Sequence, residues 1–209
     1  MSPYPLSPYT FKNRPVARAL YQALTEDPFY ITLEQQCASK GEQAREAMFR
    51  YYDYALAEAC DHGRLTLTPD ERSGAAIWSC PLDGGTQTEL GAKKKAFIRD
   101  CLGNGSLVAY TEIVEYMSAQ SADVVGPEFW YLSILGLCPD CQGKGLGKKL
   151  LAPVLEETDN LGVPAYAESF TPKNFSFYER LGFKPAKLVD EPVTGGRYAI
   201  LVRPPQPLG

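Results

Sequence analysis

The segment that most restricts the fold lies past the middle of the chain. An apolar run over 129–137 leads into Cys138-Pro139-Asp140-Cys141-Gln142-Gly143-Lys144-Gly145-Leu146-Gly147-Lys148-Lys149-Leu150, whose glycines punctuate a tight turn before a helix. The run is strand-length, far below the ~20 residues that cross a bilayer, so no membrane span is expected. Gly162 and Pro164 stop the helix, a second strand follows over 163–169, and a short helix over 174–181. Pro153 inside the first helix cannot donate to the carbonyl of Lys149, which predicts a kink or a local break.

The rest of the chain supplies mixed α and β elements. Residues 9–12 alternate weakly as a strand, and Pro15 opens an amphipathic helix through Leu20 and Leu24 that Pro28 breaks. A helix is predicted over 34–60. Strands over 64–68 and 74–80 form a hairpin, and helical composition over 87–122 splits in two at Gly103-Asn104-Gly105. Strands over 183–189 and 197–202 close the pattern. At 209 residues the chain suits one domain over 1–209, with a proline-rich tail that frays over 203–209.

With 44% hydrophobic and 22% charged residues the composition is that of a globular chain with one sizeable core. The 21 basic and 25 acidic residues leave a net charge of −4, which gives no support to a phosphate-neutralising surface, so nucleic acid is not an expected partner. Met1-Ser2-Pro3-Tyr4-Pro5-Leu6-Ser7-Pro8 has neither a basic nor an apolar leader region, and the six cysteines read as reduced thiols, so a cytoplasmic location is expected. Cys138 and Cys141 have metal-site spacing without a second pair, and His62, the one histidine, lacks a nucleophile-elbow partner. No metal is expected.

The glycine turn is a candidate anion site. Gly143, Gly145 and Gly147 let backbone approach a ligand, and free N–H groups at a helix start attract a diphosphate. Lys144, Lys148 and Lys149 add charge in the same turn, although lysines on a helix face are commonly just solvated. The spacing fits neither the dinucleotide fingerprint nor a P-loop.

Gln142-x-x-Gly145-x-Gly147 after an apolar strand resembles the acetyl-coenzyme A signature of the GNAT N-acetyltransferase superfamily. Asn174-Phe175-Ser176-Phe177-Tyr178-Glu179-Arg180-Leu181-Gly182-Phe183 is similar to that family's later motif. Within it, residues 130–183 are most similar to the puromycin N-acetyltransferases, whereas 15–60 and 84–126, which would shape an acceptor pocket, match poorly. The resemblance implies an α/β (α+β type) acyl-CoA N-acyltransferase fold: a mixed, mostly antiparallel sheet flanked by helices, with a V-shaped opening between strands that end near Leu137 and Ser169.

It also implies the chemistry. The acetyl group of acetyl-CoA would pass by direct attack to a primary amine of a small molecule, which requires a neutral amine, a stabilised oxyanion and a protonated leaving thiolate. Leu135, Gly136 and Leu137 would hold the thioester and pantetheine through backbone N–H groups. Gln142, Gly143, Lys144, Gly145, Leu146, Gly147 and Lys148 would hold the diphosphate, with Asn174, Phe177 and Tyr178 facing the coenzyme.

Tyr178 is the expected general acid, since a phenol near pKa ~10 can protonate a thiolate whose thiol titrates near ~8.5. Relatives place a glutamate at about Tyr131; here Glu168 is the candidate base, ahead of Glu112, Glu115 and Glu128, and a structural hydrogen bond is its competing role. Phe29, Tyr30 and Trp78 are candidate acceptor-side aromatics. An acyl-CoA-binding sensor without turnover and a peptide or protein N-acetyltransferase stay open, as does assembly into a homodimer.

Overall fold

In the computed structural model, which describes residues 10–207, six strands form one sheet in the order β1-β2-β3-β4-β6-β5. The leader reading of residues 1–8 lies outside the described residues. The expected strand over 9–12 is absent from 10–12, and Tyr9 lies outside the described residues. The N–H groups of Lys12 and Asn13 instead donate to the Asp53 carboxylate at 3.1 and 2.6 Å, a buried acceptor that no sheet could offer them.

Three helices precede the sheet: α1 (Arg14–Ala23), α2 (Pro28–Gln35) and α3 (Glu42–His62). Pro28 does not break α1, which ends earlier; it opens α2, with Asp27 as the capping residue. A proline at the first helical position loses no bond, because that N–H has no intrahelical acceptor. The helix expected over 34–60 is therefore two helices parted at 36–41. The hairpin is present as β1 (Gly63–Leu67) and β2 (Gly74–Ser79), and so are the paired helices α4 (Gly84–Cys101) and α5 (Asn104–Ser121).

Strand β3 (Trp130–Leu137) leads through a 3-10 turn at Pro139–Cys141 into α6 (Leu146–Leu161), which runs through Pro153 without the expected break. Strand β4 (Ala165–Ser169), a 3-10 turn at Pro172–Asn174 and α7 (Phe175–Glu179) precede β5 (Lys184–Asp190) and β6 (Arg197–Arg203). All neighbouring strands are antiparallel except β3 and β4. The fold is thus α/β with a mixed, mostly antiparallel open sheet.

Alternation along the strands sends side chains to two cores. Ala75, Ile77 and Ile134 meet α1, α3 and α4, whereas Ala76, Trp78, Leu132, Ala165 and Ala167 meet α6 and Tyr178. Over the far half of the first face, Ile113 and Met117 of α5 pack on Val189, Tyr198 and Ile200.

The expected fraying does not begin at Arg203. Its guanidinium grips the Asp159 carboxylate at 2.6 and 2.7 Å and donates to the Leu181 carbonyl at 2.8 Å, and the Gln206 N–H reaches the same carboxylate. The tail is tied to α6 by paired charge, and residues 208–209 lie outside the described part.

Candidate functional site

The sheet forks between β3 and β4. The two strands pair only over Trp130–Leu132 and Ala165–Ala167; beyond that β3 continues beside β2 and β4 beside β6. A bulge sets what β3 presents to the gap. Leu132 is opposite Trp78 and Ile134 opposite Ile77, which leaves Ser133 as the extra residue, its hydroxyl donating to the Ile77 carbonyl at 3.1 Å.

The bulge reverses the backbone phase. The Trp130 N–H points to the β4 side, donating to Pro164 at 3.0 Å, whereas the Cys138 N–H points to the β2 side, donating to Ser73 at 2.8 Å. Both are even-numbered, so the switch lies between them, and past Ser133 it is Leu135 and Leu137 whose N–H and C=O groups face the gap. The Leu137 carbonyl there accepts from Gln142 Nε2 at 3.0 Å. Gly136 points to β2, where its carbonyl closes on Gly74 and its bare Cα lets Leu20 and Ala23 of α1 come close.

The turn that follows needs glycine for conformation. Gly143 and Gly145 have φ of +74° and +75°, and a Cβ at either would meet nothing within 4 Å. The left-handed backbone favours glycine there, and the space above stays open. Gly145 caps α6 without a side chain, so the N–H groups of Leu146, Gly147 and Lys148 enter the first turn without intrahelical acceptors, at the positive end of a 16-residue helix. Lys144 and Lys148 are exposed beside them. Gly147 differs from the expected close approach to a ligand: its missing Cβ is filled by the Phe177 ring, 3.2 Å away.

Helix α7 brings Tyr178 to this junction. Its ring is buried, 5.3 Å from Phe177 and 5.7 Å from Phe183, and burial followed by the Asp27 charge holds its hydroxyl protonated well above the usual tyrosine range. Asn174 precedes α7, is exposed and makes no capping hydrogen bond with its side chain.

On the opposite face of the fork stand tyrosines and carboxylates. Tyr131 and Tyr166 stack at 4.5 Å across the middle of the three paired rungs of β3 and β4, and Glu168 lies on the face of Tyr166, at the first step past the pairing. Burial lifts the Glu168 carboxyl from 4.5 to about 7, against the nearby Tyr131 hydroxyl, which favours the charged form. Its Oε1 is buried without a hydrogen-bond partner.

Tyr30 of α2 packs 5.1 Å from both Phe29 and Tyr52 over this space. Trp78, an expected acceptor-side aromatic, belongs to the α6 face instead and is fully buried there. Glu112, Glu115 and Glu128 are exposed, Glu115 within 3.5 Å of Lys95. Asp27 was not singled out from the sequence, although Asp followed by Pro is a helix-start signal. Among the described residues no cluster of three or more His, Cys, Asp or Glu could hold a metal ion.

Comparison with known proteins places this chain in one family. The family model described as "Acetyltransferase (GNAT) family" matches residues 76–183. A Schizosaccharomyces pombe protein named Uncharacterized N-acetyltransferase C550.08 is 27% identical over 175 residues, spanning 80% of this chain and 68% of its own. Among solved structures, histone acetyltransferase HPA2 and related acetyltransferase from Corynebacterium glutamicum superposes with a TM-score of 0.59 at 17% identity, covering 96% of each chain. The Drosophila melanogaster polyamine N acetyltransferase also gives a TM-score of 0.59, at 14% identity over 90% of this chain and 92% of the other. At such identities the superpositions speak to fold.

Proposed function

Because the chain belongs to the GNAT acetyltransferase family and is an acyltransferase, we propose that it transfers the acetyl group of acetyl-CoA to the primary amine of a small molecule, by direct attack at the β3–β4 fork. The observation that carries this reading is the pair of N–H groups on Leu135 and Leu137 that the Ser133 bulge turns away from β2 into the gap. A sheet that leaves strand donors unclaimed at its centre needs a guest to accept from them.

Acetyl-CoA would supply a thioester carbonyl activated for attack and a thiolate leaving group. The residues present fit it. Leu137 N–H suits the amide-bearing arm, and Leu135 N–H suits the carbonyl oxygen as negative charge develops on it. The first-turn N–H groups at Leu146, Gly147 and Lys148, with Gly143 and Gly145 leaving the approach open and Lys144 beside them, suit the diphosphate. Gln142, Asn174 and Phe177 complete the coenzyme-facing set, Gln142 by fixing the Leu137 carbonyl.

Glu168 takes a proton from the incoming ammonium group, leaving the lone pair that forms the C–N bond. As the C–S bond breaks, Tyr178 gives its proton to the sulfur and is reprotonated by the second proton that the nitrogen sheds on becoming an amide. The acetylated amine and free coenzyme A leave, and the Glu168 proton returns to solvent. The Drosophila polyamine N acetyltransferase and an arylalkylamine N-acetyltransferase 2 from Aedes aegypti, at a TM-score of 0.55, are amine acetyltransferases by name on a similar fold.

The test is a panel of small amines and short peptides, with free thiol followed after mixing with acetyl-CoA. Thiol release with at least one small amine is expected. Tight acetyl-CoA binding with no release across the panel would make the protein an acyl-CoA sensor, and release with peptides alone would make it a peptide acetyltransferase.

A further inference from the structure

The acceptor face of the fork holds two carboxylates that no cation among the described residues neutralises. Glu168 stands one step past the last paired rung, next to where the thioester would sit. Asp27 stands at the start of α2: Pro28 beside it and Phe170, just beyond β4, both lie within 3.2 Å of a Cβ placed on Gly196 in the β5–β6 turn. The Asp27 Oδ1 accepts from the Phe29 N–H at 3.0 Å, and still burial lifts its carboxyl from 3.8 to about 6.

Tyr30 joins the two carboxylates, its hydroxyl within electrostatic reach of Asp27 and Tyr178 on one side and of Tyr131 on the other. The groups acting on either carboxyl include no lysine or arginine. Lys94, a half-buried lysine, is already 2.8 Å from Glu58. Three buried polar atoms around this space, Glu168 Oε1, Tyr52 Oη and Tyr198 Oη, also have no partner.

Buried polar atoms are normally satisfied, and a desolvated carboxylate among tyrosine rings favours a guest that is cationic and donates hydrogen bonds. We infer that Asp27 and Tyr30 form a second cation subsite, which holds the far ammonium of a diamine while Glu168 faces the nitrogen that is acetylated. The inference rests on the proposed acetyl transfer to a small amine and adds the second contact that selects the acceptor. The bonds made and broken are those given above; the far ammonium keeps its protons.

Three acceptors of equal chain length separate the possibilities: an α,ω-diamine, the matching amino alcohol and the matching alkylamine, each assayed by thiol release at saturating acetyl-CoA. The diamine should exceed the amino alcohol by about tenfold or more in kcat/KM, mostly through KM. Asp27→Asn, which keeps a capping residue at the start of α2, should reduce that ratio to within about twofold.

A bis-tertiary diamine of the same length, whose ammonium groups donate hydrogen bonds but which forms no amide, should compete with the diamine in the unaltered enzyme, so the inference can be tested even if the variant does not fold. Equal turnover of diamine and amino alcohol, absence of that competition, or an unchanged ratio in Asp27→Asn overturns the subsite and leaves acetyl transfer standing. Thiol release from no amine overturns the transfer reading and the subsite with it.

Discussion

Burial raises both the Tyr178 phenol and the Glu168 carboxyl, and the same cause suits them to opposite tasks. The phenol keeps its proton across the working range and can only give it. The carboxyl, lifted to about 7, is part ionised near neutrality and can accept one. Tyr178→Phe should therefore lower kcat by about 10²- to 10⁴-fold with little change in acetyl-CoA affinity, measured by steady-state kinetics and calorimetry.

In the Glu168→Gln variant the acid limb of kcat/KM near pH 7 should vanish together with most of the activity. Stability should move the other way. With the folded pKa above the unfolded one, the native state holds more protons between about 4.5 and 7, so this group's contribution is full below that window and is lost as pH rises through it. Glu168→Gln should then melt above the unaltered protein at pH 8 and close to it at pH 4, which thermal denaturation would show. Tyr178 was readable because it sits in a motif with fixed neighbours. Asp27 was not, because the segment that carries it meets the β5–β6 turn through Pro28 near Gly196, more than 140 positions away, and local spacing carries no trace of that contact.

Among elements, the legible ones are those whose signals are local. The hairpin of β1 and β2 shows in alternation, and the α4–α5 break shows in Gly103, which has φ +101°. Helix α2 was missed because proline serves equally as a terminator and as a first residue, and only the cap at Asp27 decides. The Ser133 bulge was missed because one extra residue in a continuous apolar run leaves the run apolar. It changes which N–H groups point into the fork, a property of register and not of composition.

Contact between Gly147 and Phe177 gives the element-scale test. Gly147→Ala should destabilise the protein, since the added methyl meets the ring at 3.2 Å. In a Phe177→Ala background the same change should be neutral or stabilising by up to about 1 kcal/mol, as alanine is the better helix former. Additive effects in urea unfolding would contradict wedge packing.

For the whole molecule, the fork divides the sheet into β1-β2-β3 and β4-β6-β5, joined by three rungs and by α6, whose core takes in Ala76 and Trp78 of one half and Ala165, Ala199 and Leu201 of the other. A ligand bridging the gap stabilises the native state by mass action. Acetyl-CoA at about 100 times its Kd should add ~2.7 kcal/mol, which for a chain of this size raises Tm by roughly 5–10 °C; no shift in a melting assay would contradict binding at the fork.

The Phe177 wedge also makes the two ends of the site mechanically one. The ring that fills the hollow at Gly147 shares a five-residue helix with Tyr178, so the turn proposed for the diphosphate and the phenol proposed as the acid cannot settle independently. On the proposed reading, seating the donor nucleotide would settle the helix that bears Tyr178 before an acceptor arrives, and the expected turnover is ordered: carrier in first, carrier out last.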